Sequence, residues 1–254
     1  MTGVQTCALP ICTIEAIDSD GVPSKVRGFV RAHLLPLVGR PHLGLAELDR
    51  RLTLAGSAAG LELRSALKAG LGPGTTRLVI EGKLTRTSGS LSWDNSLPGS
   101  LGGDMVLASI TINNLAGRGE RIQLVTGQSS KLPKVGLSQN PYSLFGASLN
   151  LPLGNSGVGL EAGYLQSRTL QTASKSFLNS LGHFARFGTT LTTASIAGHD
   201  RALFLSLGVD TITQHQELPF FSYQLNRDHY TSLRLGAAGW RRFSDGSYVA
   251  GELL

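Results

Sequence analysis

The sequence predicts an α+β domain over residues 13–86, followed by a region of antiparallel transmembrane β-barrel over residues 87–254. Three observations lead to this prediction. Two amphipathic helical segments lie among short strand patterns before residue 86. Long segments with alternating apolar and polar residues follow it. The connections between those segments are alternately tight turns and longer loops, as in outer-membrane barrels.

The composition favours membrane-spanning strands over membrane-spanning helices. Only 16% of the residues are charged, 32 are glycine, and the mean hydropathy is +0.05. No run of about 20 apolar residues occurs, which excludes an α-helical membrane protein. In a barrel wall the apolar residues occupy alternate positions, so this composition is compatible with strands that cross a bilayer.

The basic charge of the chain does not indicate a nucleic-acid partner. The formal net charge is +6 and the isoelectric point is about 9.6. The 23 lysines and arginines are scattered, with adjacent pairs at residues 50–51 and 241–242 alone. A nucleic-acid interface needs a basic stripe or patch, and none is visible.

Residues 1–12 are expected to lie outside the fold. They contain both cysteines, Cys7 and Cys12, and resemble translated sequencing-adapter read-through. They lack the basic and apolar regions of a signal peptide. Because residues 251–254 also stop within a strand pattern, we expect the chain to be a fragment of a longer protein.

The first domain has the predicted order strand, helix, helix, strand, strand. A strand at residues 13–17 is closed by a turn at 18–21, and the first helix follows with Ser24 as its cap. Its apolar stripe recurs every three or four residues, and Gly39 and Pro41 end it. The stripe consists of Val26, Phe29, Val30, His33, Leu34 and Leu37.

The second helix and the last two strands complete this domain. The helix covers residues 44–55, with Leu45, Leu48 and Leu52 on its apolar side. Residues 61–67 alternate and predict a half-buried strand. The strand at residues 76–84 is expected to point Leu78 and Ile80 inward.

The second region shows about nine alternating segments, the first near residues 88–95 and the last from residue 248. Alternation alone would also fit a soluble β-sandwich, so the connections matter. Tight turns are predicted at 116–119, 154–157, 197–200 and 244–247. Longer loops are predicted at 129–141, 170–182 and 217–229.

Three ordered motifs carry a resemblance to a known family. They are PGTTRLVI at residues 73–80, DN at 94–95 and NLAGRGE at 114–120. This order resembles the two-partner secretion transporters of Gram-negative outer membranes, of the haemolysin secretion/activation type. The resemblance implies a polypeptide-transport-associated (POTRA) domain, β-α-α-β-β, at residues 13–86. It further implies the first half of a transmembrane β-barrel, about nine of sixteen strands, at residues 87–254.

The resemblance also implies a function and a location. The POTRA domain is expected in the periplasm, where it would recognise an unfolded exoprotein with an N-terminal secretion domain by adding a strand to its sheet. The barrel, surrounded by outer-membrane lipid, would conduct this cargo outward. The cargo-binding residues expected from this resemblance are Leu48, Leu52, Leu61, Leu63 and Ser65. For each of these leucines taken singly, a place in the hydrophobic core is the favoured interpretation.

Four charged residues fall on the polar faces of the predicted strands: Glu161, Arg186, Asp210 and Arg234. One interpretation is a charged, water-filled lumen that passes polypeptide. The other is ordinary solvation of a polar barrel interior.

No catalytic residue, metal site or cofactor is predicted, and the chain is not expected to be an enzyme. The six histidines lack metal-binding spacing. Asp228 and His229 are adjacent and therefore point to opposite faces of a strand, and no Gly-x-Ser-x-Gly motif accompanies them. The VRGF sequence at residues 26–29 matches a lid-loop motif of the barrel superfamily but lies in a predicted helix, so it is given no function.

Other functions remain as alternatives. A barrel assembly or insertion factor of the same superfamily would share the fold, although the motifs at 94–95 and 114–120 argue against it. A barrel enzyme or passive porin would have no use for the first domain. A soluble β-rich binding protein is the remaining possibility, and detergent-dependent solubility distinguishes it from the others.

Overall fold

The computed structural model describes residues 13–129, 140–172, 179–198 and 200–253. Within these ranges the chain forms a three-stranded mixed sheet covered by two helices, and then a nine-stranded antiparallel sheet. Neither described helix is long and apolar enough to cross a bilayer.

The first domain follows the order β-α-α-β-β, which confirms the predicted POTRA architecture. Its elements are β1 (Ile14–Gly21), α1 (Ser24–Leu34), α2 (Leu45–Gly56), β2 (Leu61–Ala69) and β3 (Thr76–Leu84). The sheet order is β1-β3-β2, with β1 parallel and β2 antiparallel to β3. The third strand is therefore central, and both β1 and β2 are edge strands.

The helices pack on one face of this sheet and form its hydrophobic core. Leu78 and Ile80 of β3 are 1% and 0% exposed, which confirms that they point inward. The buried cluster joins them to the apolar stripe of α1 and to part of α2. Its members include Ile14, Val26, Val30, Leu34, Leu37, Leu48, Ala55 and Leu61.

Four sequence expectations for this domain were wrong in detail. The turn predicted at 18–21 belongs to β1, and Ser24 begins α1 without capping it, because Pro23 occupies the N-cap position. Leu45 is 72% exposed at the first position of α2 and is not part of the buried cluster. Beyond Leu61 the second strand is mostly exposed, not half-buried, because of its later residues only Leu63 packs against the core cluster.

The second region is one sheet whose strands pair in chain order, each antiparallel to the next. Nine strands are found in the described ranges, as predicted. They are β4 (Thr87–Asp94), β5 (Met105–Asn113), β6 (Arg121–Ser129), β7 (Tyr142–Leu153), β8 (Val158–Thr172), β9 (Asn179–Ala197), β10 (Arg201–Leu218), β11 (Tyr223–Arg242) and β12 (Tyr248–Leu253).

The apolar residues of these strands form one continuous outward face. Register places Leu207 opposite both Leu191 and Leu235, so the leucine rows of neighbouring strands lie side by side. These side chains remain exposed, with Leu233 at 68% and Leu235 at 67%. Among the described residues, no second layer covers this face. The rows therefore do not meet in a dry interior, as they would in a sandwich.

The tight turn predicted at 154–157 is present, with Gly154 and Gly157 both at positive φ. The long loop predicted at 217–229 was wrong: β10 runs to Leu218, and after a short 3-10 turn β11 begins at Tyr223. The end of β10 and the start of β11 carry polar residues on both faces of the sheet. Such a sequence has the composition of a loop, although the two backbones remain paired as strands. Most of the loop predicted at 129–141 lies outside the described residues. The loop predicted at 170–182 was wrong at both ends, because residues 170–172 and 179–182 belong to the paired strands β8 and β9, and residues 173–178 lie outside the described residues.

Candidate functional site

The polar face of the sheet contains a charged cluster on β9, β10 and β11. Asp210 of β10 is 2% exposed and lies between two arginines. Arg186 donates from Nε and Nη2 to Oδ1 of Asp210 at 3.0 and 2.9 Å, and Nε of Arg234 contacts Oδ2. Both carboxylate oxygens are thus held by guanidinium groups, which are the strongest partners available to a carboxylate.

Glycines give this cluster its space. Gly188 is the direct cross-strand neighbour of Asp210, and Gly208 is that of Arg234. A Cβ at Gly188 would collide with Oδ1 of Asp210, and one at Gly208 would lie 3.4 Å from Nη2 of Arg234. The arginines therefore reach the aspartate diagonally across positions that lack side chains.

The cluster borders a recess of about 330 Å³ on the polar face, which reaches from Gln123 on β6 to Arg234 on β11. Glu161 lines the same recess and is exposed, and the two arginines are 40% and 43% exposed. The four charged residues singled out in the sequence thus share one surface, and Arg186, Asp210 and Arg234 are in contact. Two arginines and two carboxylates balance in charge, so the recess presents a hydrated surface of both signs.

This recess is not a metal site in the described part of the chain, since no three His, Cys, Asp or Glu side chains gather there or elsewhere in it. Asp228 and His229 face opposite ways: Asp228 accepts from Nδ2 of Asn226 at 2.7 Å, and Nδ1 of His229 lies 3.0 Å from the Thr213 hydroxyl. They form no catalytic pair.

The residues expected to bind cargo in the first domain divide into two groups. Leu48 and Leu61 are 4% and 9% exposed in the core, and Leu52 and Leu63 pack against that core. Ser65 is exposed on β2. Because β2 is an edge strand, its outer row of backbone groups is open to pairing within the described structure.

A third feature, at residues 114–120, joins the two parts of the molecule. Asn114 is 2% exposed at φ +54°; its amide donates to the Ala59 carbonyl, and its Oδ1 accepts from the Gly119 N–H at 2.9 Å. The Glu120 carboxylate accepts from the backbone N–H groups of Ala116 and Arg118. The Lys25 ammonium donates to the Leu115 carbonyl at 3.1 Å.

In the sequence, NLAGRGE carried only the resemblance to a family, and its contact with the first domain was not predicted. The signal was present in the residue types. Asparagine tolerates positive φ, glycine permits close approach, and a following glutamate can accept from turn N–H groups. We call residues 114–120 the docking turn.

The environment of Glu120 lowers the pKa of its carboxyl group. Burial by itself raises the pKa, but hydrogen bonds from backbone N–H groups, including those of Ala116, Arg118 and Gly117, outweigh it. The charged form of Glu120 is therefore the one that closes the docking turn.

A second contact joins the two parts through α2. Leu54 is buried against Ala194 and Ala197 of β9. Arg51 donates to the Asn155 carbonyl at 3.4 Å, and Nδ2 of Asn155 donates to the Ala32 carbonyl at 3.3 Å. Gly198 lies near Asp49 of α2 as well, since a Cβ built there would be 3.0 Å from the Asp49 carboxylate. The turns at 114–120 and 154–157, and Gly198 after β9, therefore lie on the side of the first domain. We call this the proximal end of the sheet, and the opposite end the distal end.

Two helices on a small mixed sheet, docked on nine antiparallel strands with one apolar and one polar face, form the fold of a POTRA domain joined to part of a β-barrel. The solved structures that resemble it are of this kind. CdiB from Escherichia coli aligns with a TM-score of 0.76 and 18% identity, over 92% of this chain and 43% of that one. CdiB from Acinetobacter baumannii aligns with a TM-score of 0.66 and 13% identity, over 92% and 44%.

BamA from Haemophilus ducreyi, lacking POTRA domains 1–3, aligns with a TM-score of 0.50 and 13% identity, over 95% of this chain and 48% of that one. No protein-family profile and no curated protein sequence matches this chain. The chain spans less than half the length of these structures. The fold expected from the resemblance, a POTRA domain followed by the first half of a β-barrel, is confirmed.

Proposed function

We propose that this chain belongs to a two-partner secretion transporter that moves an unfolded exoprotein across the outer membrane. The observation that carries the proposal is the joint match to CdiB, in which the POTRA domain and nine barrel strands align together over 92% of the chain. The outward apolar face supports a position in lipid, and the charged recess supports a hydrated path for polypeptide.

In this proposal the POTRA domain lies in the periplasm and presents β2 to the cargo. The exposed strand from Glu62 to Ala69 offers a pairing edge, and backbone pairing binds an extended chain with little dependence on its sequence. Since Leu48 and Leu61 are buried, we assign cargo contact to the backbone of β2 and to exposed side chains such as Ser65. Leu52 and Leu63 would contribute from the core-facing side.

The test uses the chain grafted in place of the aligned segment of the E. coli CdiB, because the chain spans 43% of the length of that protein's structure. A photocrosslinking residue at Ser65 is expected to trap the secreted polypeptide. The matched control is the same residue at Ser247, an exposed position in the turn between β11 and β12. A graft that supports secretion without crosslinking at Ser65 would contradict the assignment of β2.

A barrel assembly factor is the second candidate, favoured by the alignment to BamA. The lower TM-score, 0.50 against 0.76, gives this candidate less support than secretion. The same graft distinguishes the two, since an assembly factor would restore insertion of other barrel proteins and leave the exoprotein inside the cell. The same assay also bears on the porin and enzyme alternatives, because neither moves a polypeptide.

A further inference from the structure

A row of basic residues crosses the outward face near the distal end of the sheet. Cross-strand register places Arg168 of β8 opposite His183 of β9, His183 opposite His215 of β10, and His215 opposite Arg227 of β11. The rings of His183 and His215 stack with centroids 4.6 Å apart. We call these four residues the distal basic row.

The distal basic row lies on the same face as the exposed leucines. Along β10 the outward positions are Leu203, Leu205, Leu207 and Val209, then Thr211, Thr213 and His215, since alternate residues share a face. All four side chains of the row are half-buried or exposed. They therefore face the surroundings of the barrel and not its recess.

The row falls where the hydrocarbon layer ends. From Leu203 to Thr213 the strand makes ten steps of about 3.4 Å, which is about 34 Å along its axis. At a tilt of about 35 to 45° this length covers about 24 to 28 Å of membrane depth, close to the apolar band of about 25 Å found on such barrels. His215 is the next outward residue, so it meets the headgroup layer.

The chemistry of the row fits a phosphorylated headgroup. Guanidinium groups bind phosphate oxygens with paired N–H donors, and each imidazole adds at least one further donor. Neighbouring strands lie about 4.8 Å apart, so four strands place these donors along about 14 Å. Among the described residues of β8 to β11, Glu217 is the acidic residue on this face, one outward position farther along β10, so the row has two arginines against one carboxylate there.

We propose that the distal basic row binds the phosphate groups of an anionic glycolipid in the outer leaflet of the membrane. This inference rests on the proposed orientation, in which the POTRA domain is periplasmic and the distal end therefore faces outward. Such a contact would fix the depth of the barrel wall at β8 to β11, beside the strands that carry the charged cluster.

The experiment measures lipid binding by the full chain in detergent micelles, by native mass spectrometry with diphosphorylated lipid A as the probe. The double variant R168Q/R227Q is expected to bind roughly tenfold more weakly. Dephosphorylated lipid A should bind both forms equally. The matched control is R201Q/R241Q, which likewise removes two arginines from the outward face, here at the proximal end, where they are direct cross-strand neighbours.

Each remaining outcome decides the proposal. Equal binding of both lipids, or equal loss in the R201Q/R241Q control, would overturn it. Displacement of the lipid by millimolar inorganic phosphate would identify a site for free anions and overturn the lipid assignment. Heat-modifiable mobility on gels verifies that each variant is folded, and H183Q/H215Q provides a second test that leaves the arginines in place. Because the assay contains no exoprotein, its failure is distinct from failure of the secretion function.

Discussion

The side-chain amide of Asn114, in the turn between β5 and β6, donates a hydrogen bond to the backbone carbonyl of Ala59 in the POTRA domain. In return, the Ala59 N–H donates to the Gly119 carbonyl at 3.1 Å. This reciprocal pair closes the docking turn onto the loop between α2 and β2. The POTRA domain is therefore held to the nine-stranded sheet by hydrogen bonds as well as by its covalent connection between β3 and β4.

Replacing Asn114 by alanine should detach the docking turn. The substitution removes both side-chain hydrogen bonds. Alanine must then adopt φ +54° without the hydrogen bonds that stabilise asparagine in this conformation. We expect the free energy of unfolding to fall by about 2 to 4 kcal/mol. Urea titration in detergent micelles measures it. Asn114→Gly isolates the hydrogen bonds, since glycine tolerates positive φ, and Asn95→Ala, in an exposed turn, should change little.

The docking turn should also weaken in acid because of Glu120. Its folded-state pKa lies below that of an unfolded glutamate, so the charged carboxylate stabilises the fold at pH values above the unfolded pKa of about 4.3. That contribution is lost as the pH falls through the lowered folded pKa. Unfolding free energies measured between pH 3 and 7 should therefore decline toward acid, and Glu120→Gln should flatten part of this decline. An unchanged slope in the variant would contradict the role of Glu120.

Gly119 should tolerate alanine less well than a glycine of the same backbone conformation elsewhere. Its φ is +84°, and an added Cβ would meet the Phe29 ring of α1 at 2.7 Å. Gly246 has φ +85° but nothing within 4 Å of the same position. Gly246→Ala should cost about 1 to 2 kcal/mol from backbone strain alone. Gly119→Ala should cost about 1 to 3 kcal/mol more, because the helix and the turn must separate. Equal losses in urea titration would show that the approach of Phe29 is not tight.

The sequence predicted the elements of the fold because their patterns are local. The apolar stripe of α1 and the period-two rows of the barrel strands each depend on residues within one segment. The inward positions of Leu78 and Ile80 followed from the same rule. The loop wrongly predicted at 217–229 shows the limit, since strand ends beyond the lipid need no apolar face.

Contacts across strands could not be predicted in the same way. Sequence placed Arg186, Asp210 and Arg234 on polar faces, but their meeting depends on the register between three strands and on the absence of side chains at Gly188 and Gly208. The burial of Leu48 and Leu61 likewise depends on how α2 lies on the sheet. The docking turn required knowledge of a partner about 55 residues away, at Ala59.

Loss of the Asp210 carboxylate should lower the free energy of unfolding, because Arg186 and Arg234 share it as their partner. Asp210→Asn removes the charge and leaves two guanidinium groups beside each other on the polar face. Because the arginines are 40% and 43% exposed, water offsets part of the loss, and we expect a decrease of about 1 to 3 kcal/mol in unfolding free energy. Urea titration of D210N, R186Q and the double variant forms a thermodynamic cycle whose coupling term should be favourable.

Glu161→Gln is the matched control for Asp210, since Glu161 lines the same recess but is exposed. It should change the unfolding free energy by less than about 0.5 kcal/mol. If D210N and E161Q had the same small effect, the carboxylate of Asp210 would contribute no more than a solvated charge. A large coupling between Asp210 and Arg186, absent between Glu161 and Arg186, would instead identify β9, β10 and β11 as strands fixed together from inside the barrel wall.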